Sequence, residues 1–428
     1  MKLLSSLKEL DLAGKKVIVR GDLDVSEMSE NDIRLQRLVP TLKFLLENNA
    51  KVILIGHSGR PDGKIDNTYS LKPISDILEK ILNLKINFVY DIAGVEAKIE
   101  SDKLRSGEIM MLENLRFDTR EESGDEVFSK SLSELGDLYV NEAFSVCHRE
   151  HASIVGIPKF LDSYAGLNLE KEIENLNKVK DEPERPLVIL ISGVKEDKLK
   201  MVEPLSKIAD KVLVGGRLPD LMGDKALESV RLAPDTQKII VGNLIMDKED
   251  ITLNTVDRFV SEILKAKTIV LAGVLGRFED EGHSQGTQKV FQAVASSKAF
   301  KVVGGGDSLS AVNKYNLSSK FDWISVGGGA MLSFLTNKTL VGIEALQTTF
   351  PQSKYNKVQE IVGEYLKEQF DNRKIDTFEL QSFSEHVEIL LPKDIDEIEL
   401  LENVKLLNSG YPKLTPLVLK ILGDWAKI

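Results

Sequence analysis

"FKVVGGGDSLSAV", residues 300–312, runs from an apolar, β-branched segment into three glycines, then Asp307 and Ser308, then a helical spacing. A strand, bare backbone and a helix start, in that order, present a row of N–H groups to an anion. The same beat recurs in both directions. Towards the N-terminus lie "TIVLAGV", "KIIVGN", "KVLVGG" and "LVILISG", and "WISVGGG" comes on the other side. Before residue 168 the runs "KVIVR", "KVILIG", "EIMMLE" and "DLYVNEA" alternate with helical spacings such as Leu35, Leu38, Val39, Leu42, Leu45 and Leu46. Such alternation predicts an α/β fold whose parallel sheets are covered by helices on both faces. The charged helical stretch "NLEKEIENLNKVKDEPERP", residues 168–186, separates two such blocks.

The two blocks end their strands differently. In the second, nearly every strand stops on glycine. In the first, the strands run into Arg20 and Asp22, His57, Glu113 and Asn114, or Asn141 and Glu142. Ligands of open α/β sheets bind beyond the carboxyl ends of the strands. Chemistry is therefore expected on that edge of both blocks, from side-chain charge in one and from backbone in the other.

At 428 residues the chain is long enough for two ordinary domains and an appendage. No apolar run approaches the ~20 residues of a membrane span, and "MKLLSSLKELDLAGKK" has too short an apolar stretch for a secretory signal. The single cysteine, Cys147, leaves no internal disulfide and suits a reducing cytoplasm. A net charge of −11 argues against nucleic acid as a partner. The expectation is a cytoplasmic protein with neither membrane nor nucleic-acid partners.

Local positive charge is another matter. The first block's strand ends supply Asp22 and Asp24 in "VRGDLDV", Arg34 in "NDIRLQRLVP", His57 and Arg60 in "GHSGRP", Arg116 in "LENLRF" and Arg149 in "VCHREHAS". Any one of these arginines reads most simply as a surface ion pair. Four of them with a histidine, all at corresponding loops, predict a pocket for a small polyanion, because the guanidinium fork binds carboxylate and phosphate bidentately.

The second block holds neither G-x-G-x-x-G nor G-x-x-x-x-G-K-[ST], so a nucleotide would be held by neither common phosphate loop. Instead strand-end glycines converge: Gly193, Gly215, Gly216, Gly273, Gly304 to Gly306 and Gly327 to Gly329. Lys195 and Lys198, just past "LISG", add positive charge. Asp307 among anion-binding amides makes sense if a divalent cation arrives with phosphates, since Mg2+ is held by one or two carboxylates plus phosphate oxygens. A small-anion site and a metal-nucleotide site on two blocks predict phosphoryl transfer, which needs positioning, charge neutralisation and exclusion of water.

Across residues 8–346 the segments "LVPTLKFLLENNAKVILIGHSGRPDG", "GEIMMLENLRF", "GDLYVNEAFSVCHREHAS", "VVGGGDSLSAV" and "ISVGGGA" resemble, in order, those of the phosphoglycerate kinase family. The resemblance implies two Rossmann-like domains, 1–167 for phosphoglycerate and 187–346 for nucleotide, joined by a hinge helix within 168–186. It implies a monomer that transfers phosphate reversibly between MgATP and the carboxylate of 3-phosphoglycerate. It assigns Asp22, Asp24, Arg34, His57, Arg60, Arg116 and Arg149 to phosphoglycerate, with Arg34 also stabilising charge on the group in flight. Lys195 matches the lysine that accompanies that group, Lys198 one that holds nucleotide phosphate, and Glu279 the acid that binds ribose. Gly305, Gly306, Asp307 and Ser308 match the phosphate and magnesium turn, with Asp307 as metal ligand and Gly216 beside the nucleotide.

Several positions depart from the family pattern. "DLD" places Asp24 where the family has an amide, and Arg20 is the expected partner for the extra charge. "SGVKEDK" lacks one residue between its two lysines, which rotates the later side chains by about 100° and puts the reach of Lys198 in question. "GGRL" and "LAGV" alter the nucleotide side, with Arg217 and Arg277 expected to replace lost contacts. The alternative to an active kinase is a related protein that keeps the anion pocket as a binding or regulatory module. Residues 347–428 lie past the region of resemblance and read as an α+β segment, with a helix in "KYNKVQEIVGEYLKEQF".

Overall fold

The computed structural model of the chain describes residues 1–9, 12–25, 27–194, 196–223, 238–347, 379–382 and 387–390. The first sheet holds β1 (Lys16–Arg20), β2 (Lys51–Ile55), β3 (Ile86–Val89), β4 (Ile109–Leu112), β5 (Leu138–Asn141) and β6 (Asp162–Ala165), in the order β3-β4-β2-β1-β5-β6. Strand β1 pairs in parallel with β2 and β5, and β4 with β2 and β3. The second sheet holds β7 (Leu187–Gly193), β8 (Lys211–Gly216), β9 (Ile239–Val241), β10 (Thr268–Ala272), β11 (Phe300–Gly304) and β12 (Trp323–Ser325). Its order is β12-β11-β10-β7-β8-β9 and every pairing is parallel. This is the α/β architecture expected from the alternating pattern.

Central strands of such sheets are covered on both faces, which is why they read as unbroken apolar runs. Val17, Ile18 and Val19 of β1 and Leu187 to Ile191 of β7 are all buried. On the first sheet, helix Ile33–Glu47 turns Leu35, Leu38, Val39, Leu42 and Leu45 inward, and they share a core with Val19, Leu54 and Met111. On the second, Phe259 and Ile263 of helix Leu253–Lys265 and Phe291 and Val294 of helix Gln285–Ser296 cover Leu190, Ile269 and Leu271. Each such side chain contributes about 1.5–3 kcal/mol when fully buried, so the sheets give the site rigid walls.

Helix Leu167–Lys180 leads from the first sheet to the second. Glu142, just past β5, accepts from the backbone N–H groups of Asn168 at 3.1 Å and Leu169 at 3.0 Å, and from the Thr41 hydroxyl. It thereby satisfies N–H groups of the first turn that have no partner within the helix. Burial pushes its carboxyl up to about 7. At the other end Lys180 Nζ donates to the Lys338 carbonyl at 2.5 Å and lies 4.5 Å from the centre of the Phe334 ring. The connection is thus tied to the first sheet at its start and to the second half at its finish.

Both six-stranded sheets belong to one compact unit, Met1–Ile157 with Ser163–Gln347. The other unit, Pro158–Asp162 with Thr348–Ile428, contains an antiparallel pair, β13 (Glu379–Ser382) and β14 (Val387–Leu390). The helix expected in residues 354–370 lies outside the described residues.

Candidate active site

Strand β1 has β2 on one side and β5 on the other, and β7 lies between β8 and β10. At such switch points the loops leaving adjacent strands diverge and open a crevice beyond their carboxyl ends. The segments after β1, β2, β4, β5, β7, β10, β11 and β12 all reach one cavity of about 470 Å³. Its first wall carries Asp24, Arg34, His57, Arg60, Arg116 and Arg149, and its second carries Lys198, Gly305, Gly306, Asp307 and Ser308. These eleven, with Gly273, Gly304 and Gly327 to Gly329, are all groups expected from the sequence, and they meet at one place.

Beneath the first wall lies a buried polar web. Arg20 is fully buried; its Nε donates to Ser153 Oγ at 2.8 Å, and its Nη2 stands 4.0 Å from Glu121 Oε1 and 3.0 Å from His57 Nδ1. A guanidinium can only donate, so His57 Nδ1 accepts and the proton of the neutral ring sits on Nε2. Burial, then the charges of Arg20 and Arg116, push His57 well below its ordinary range. Burial and the same arginines take His151 down to about 3. Both histidines are neutral hydrogen-bonding groups at physiological pH, and His57 offers the cavity a donor without a titrating charge.

Arg34 begins the helix Ile33–Glu47, where Asp32 Oδ1 accepts from its backbone N–H at 2.9 Å. Its Nη1 stands 3.5 Å from Asp22 Oδ1 and 3.7 Å from Asp24 Oδ2, and it also donates to the Asp24 carbonyl. Asp24 Oδ1 accepts from the Gly59 N–H at 2.8 Å. The expected Asp24–Arg20 pairing is corrected: Arg20 is spent on the web below, and Arg34 balances Asp24. Asp22 is buried behind Arg34, and burial raises its carboxyl against the opposing pull of Arg34.

Arg116 is fixed by its Nη1 bond to the Gly59 carbonyl at 2.7 Å and by Glu122 at 3.3 Å from its Nε. Asn114 bridges the same loops by donating to the carbonyls of Ser58 at 2.7 Å and Tyr69 at 2.8 Å. Arg60 and Arg149 close no ion pair among the described residues, yet both face the cavity. Unpaired guanidinium groups in a concave site are what an anion would complete.

On the second wall two glycine turns touch backbone to backbone. Gly305 has φ +103°, and a Cβ on Gly328 would lie 2.6 Å from the Gly305 Cα. Both turns open helices, Gly306–Lys314 and Gly328–Thr336, whose first N–H groups carry the positive end of the helix dipole. Ser308 Oγ accepts from the Gly273 N–H at 2.8 Å, which ties the ends of β10 and β11 together. Lys198 reaches this wall despite the shortened spacing; its Nζ donates to the Ser192 carbonyl at 2.6 Å.

Two expected nucleotide residues, Gly216 and Glu279, do not line the cavity. Gly216 ends β8 with φ +59°, where a Cβ would come 2.5 Å from Ser192 Oγ. Glu279 is exposed on the loop after β10. Lys195 lies outside the described residues. Arg217 and Arg277 do not replace contacts in the cavity: Arg217 faces Glu249 at 3.5 Å and Asp220 at 3.6 Å, and Arg277 faces Asp280 at 3.8 Å. Ser145, His148 and Leu332 also line the cavity, and the sequence pattern did not single them out. The first two precede Arg149 in one strand-end segment, which was their available signal.

The family model of phosphoglycerate kinase matches residues 7–223 and 220–338. A phosphoglycerate kinase of Pseudothermotoga lettingae is 37% identical over 391 residues, covering 80% of this chain and 98% of the relative. One of Herpetosiphon aurantiacus is 35% identical over 390 residues, covering 80% and 98%. The crystal structure of phosphoglycerate kinase from Pyrococcus horikoshii is similar with a TM-score of 0.69 at 30% identity, over 81% of this chain and 98% of that one.

Proposed function

Because the chain belongs to the phosphoglycerate kinase family, we propose that it transfers a phosphoryl group reversibly between a nucleoside triphosphate and the carboxylate of 3-phosphoglycerate. The observation that carries this reading is a single cavity with arginines on one wall and paired glycine turns on the other. In the forward direction a carboxylate oxygen of phosphoglycerate forms the new bond to the terminal phosphorus. The bond from that phosphorus to its bridging oxygen breaks, and the nucleoside diphosphate leaves with the electron pair. Little covalent work falls to the protein; it must align the two oxygens and neutralise charge.

The residues divide this work by position. Arg60, Arg116 and Arg149 hold the phosphate of phosphoglycerate, while Asp22, Asp24 and His57 orient its hydroxyl and carboxylate end. Arg34 spans from Asp22 towards the cavity and stabilises the group in transit. Gly305, Gly306, Ser308 and Lys198 receive nucleotide phosphates. On the resemblance alone, we assign Lys195 to the nucleotide's phosphoryl group in transit, and Gly216 and Glu279 to the nucleotide.

Among the described residues no cluster of three or more His, Cys, Asp or Glu side chains could hold a metal by itself. That fits magnesium, which is bound by one or two carboxylates and completed by phosphate oxygens and water. Asp307 is an exposed carboxylate on the cavity wall in the first turn of helix Gly306–Lys314. It would hold the ion, whose chemistry there is to neutralise phosphate charge. Asp307→Asn is expected to raise the magnesium concentration for half-maximal turnover by about tenfold, one unit of charge in a partly wet site; titrating turnover against magnesium checks it.

Arg60→Ala or Arg149→Ala is expected to weaken phosphoglycerate binding by at least about tenfold, the value of a charge-assisted bond, and to leave nucleotide binding unchanged. Calorimetry with each ligand separately reads both effects. The function itself is tested with 3-phosphoglycerate, magnesium and a panel of ATP, GTP and, in reverse, ADP with 1,3-bisphosphoglycerate. No turnover with intact phosphoglycerate binding would replace the kinase reading with that of an anion-binding module.

No helix among the described residues is long and apolar enough to cross a membrane. We further propose that the chain acts as a cytoplasmic monomer, with functional boundaries at residues 1–167, 168–186, 187–346 and 347–428.

A further inference from the structure

Arg37 lies one turn beyond Arg34 on helix Ile33–Glu47 and so projects from the same side of it. Its guanidinium carbon stands 3.8 Å from the centre of the Trp323 ring, and its Nη1 donates to Asn168 Oδ1 at 3.3 Å. Trp323 opens β12, which leads through Val326 to the glycines 327–329 of the second cavity wall. Asn168 and Glu172 sit four residues apart on the connecting helix Leu167–Lys180. The helix that bears Arg34, the connecting helix and the strand feeding the glycine turn therefore meet in one stack.

The stack is incomplete in an informative way. Glu172 is fully buried, close enough to the side chains of Ser325 and Trp323 for both to act on its carboxyl. Yet neither carboxyl oxygen, nor the indole N–H of Trp323, closes a well-formed hydrogen bond. A buried donor left open beside a buried acceptor costs desolvation on both sides, and a small rotation of one element against the other removes that cost. A guanidinium over an indole face tolerates such sliding, because the attraction is to the ring quadrupole rather than along one bond.

Arg34 and the Gly327–Gly329 turn stand on opposite walls, and the proposed transfer needs them drawn together with water excluded. We propose that Arg37, through its stack on Trp323, is a positioning residue that couples Arg34 to the Gly327–Gly329 turn, with the indole N–H closing onto Glu172 as the walls approach. This coupling rests on the proposed phosphoryl transfer. Arg37 touches neither substrate, so its effect falls on turnover and on the motion, with little on binding.

The test uses the full chain with Trp425→Phe, which leaves Trp323 as the sole tryptophan of the two. Arg37→Leu keeps apolar bulk over the ring and removes the charge, and Arg37→Lys keeps a cation there. Arg37→Leu is expected to lower kcat about tenfold with both KM values within about threefold, and Arg37→Lys to recover most of the loss. The Trp323 emission change on adding 3-phosphoglycerate and the magnesium nucleotide should vanish in the leucine variant and persist in the lysine variant. An unchanged kcat in Arg37→Leu, or a loss that lysine does not rescue, overturns the proposal. If the leucine variant fails to fold, Trp323→Phe, which keeps a weaker ring face, should show the same kcat loss in smaller degree, and a normal kcat there overturns it as well. If the parent does not turn over, the kinase reading falls. Small-angle scattering of the unliganded chain then decides the coupling: a radius of gyration that widens in Arg37→Leu but not Arg37→Lys supports it, and equal radii refute it.

Discussion

Arg34→Ala is expected to lower kcat/KM for phosphoglycerate by about a thousandfold, or about 4 kcal/mol of transition-state stabilisation. Two effects add. Removing one preorganised donor aimed at developing charge costs about 10²–10³ in rate. Arg34 is also the cation 3.5 Å from Asp22 and 3.7 Å from Asp24. Without it, two carboxylates face an anionic substrate with no counter-charge at that point of the wall. Burial already raises the Asp22 carboxyl, and Arg34 is the largest influence opposing that rise. Its loss drives Asp22 further towards the neutral acid, so the acid limb of the mutant's residual activity should lie at higher pH than the parent's. Arg34→Lys keeps the charge but not the planar fork, and should recover less than half of the loss on a logarithmic scale. Steady-state kinetics with phosphoglycerate varied at saturating magnesium nucleotide check this. A drop of less than tenfold would leave Arg34 as a counter-ion for Asp22 and Asp24 and remove it from the transfer step.

The fold was legible wherever a strand is covered on both faces. "KVIVR", "KVILIG", "LVILISG" and "TIVLAGV" became β1, β2, β7 and β10, the centres of the two sheets. The two strands that left no clear run, β3 and β6, are the two edges of the first sheet. An edge strand has a neighbour on one side only, and Asn87 in the middle of β3 is exposed. Its apolar signal is correspondingly diluted, and pattern alone does not separate it from loop.

The site was legible by a different rule. Strand ends can be counted from sequence, and the side chains at those ends converge because parallel strands share a carboxyl edge. That rule finds Arg34, His57, Arg60, Arg116, Arg149 and Asp307, but it is blind to pairing. Arg20 and Arg34 look equivalent as letters in a chain, and only burial separates them: one is locked among Ser153, Glu121 and His57, the other is left to balance Asp24. It is equally blind to Arg37 and Trp323, whose contact joins segments far apart in the chain. Their meeting depends on the path of the connecting helix, and no local pattern encodes that path.

Lys195→Ala should have the largest effect on turnover, a loss in kcat of about 10³-fold or more with KM for both substrates within about threefold. The proposed transfer asks more of a lysine than Lys198 can give. Lys198 is the lysine lining the cavity among the described residues, and its Nζ is held 2.6 Å from the Ser192 carbonyl at the end of β7. A cation fixed on that wall can hold nucleotide phosphate, but it cannot accompany a group that leaves the nucleotide for the arginine wall. Spread over the oxygens of that group in transit is charge that both walls must meet. In the sequence Lys195 follows Gly193, the last residue of β7, and the 70% exposed Val194. In the role we propose for it, the Lys195 ammonium would meet the group in flight more strongly than it meets either bound substrate. Interactions of that kind raise kcat and leave KM nearly untouched. Lys198→Ala should do the reverse, raising the nucleotide KM with a smaller change in kcat. Rapid-quench measurement of a single turnover separates the chemical step from product release for both variants. If Lys195→Ala keeps its single-turnover rate, the charge in flight is met by Arg34 and the glycine turns alone, and the role given to Lys195 is wrong.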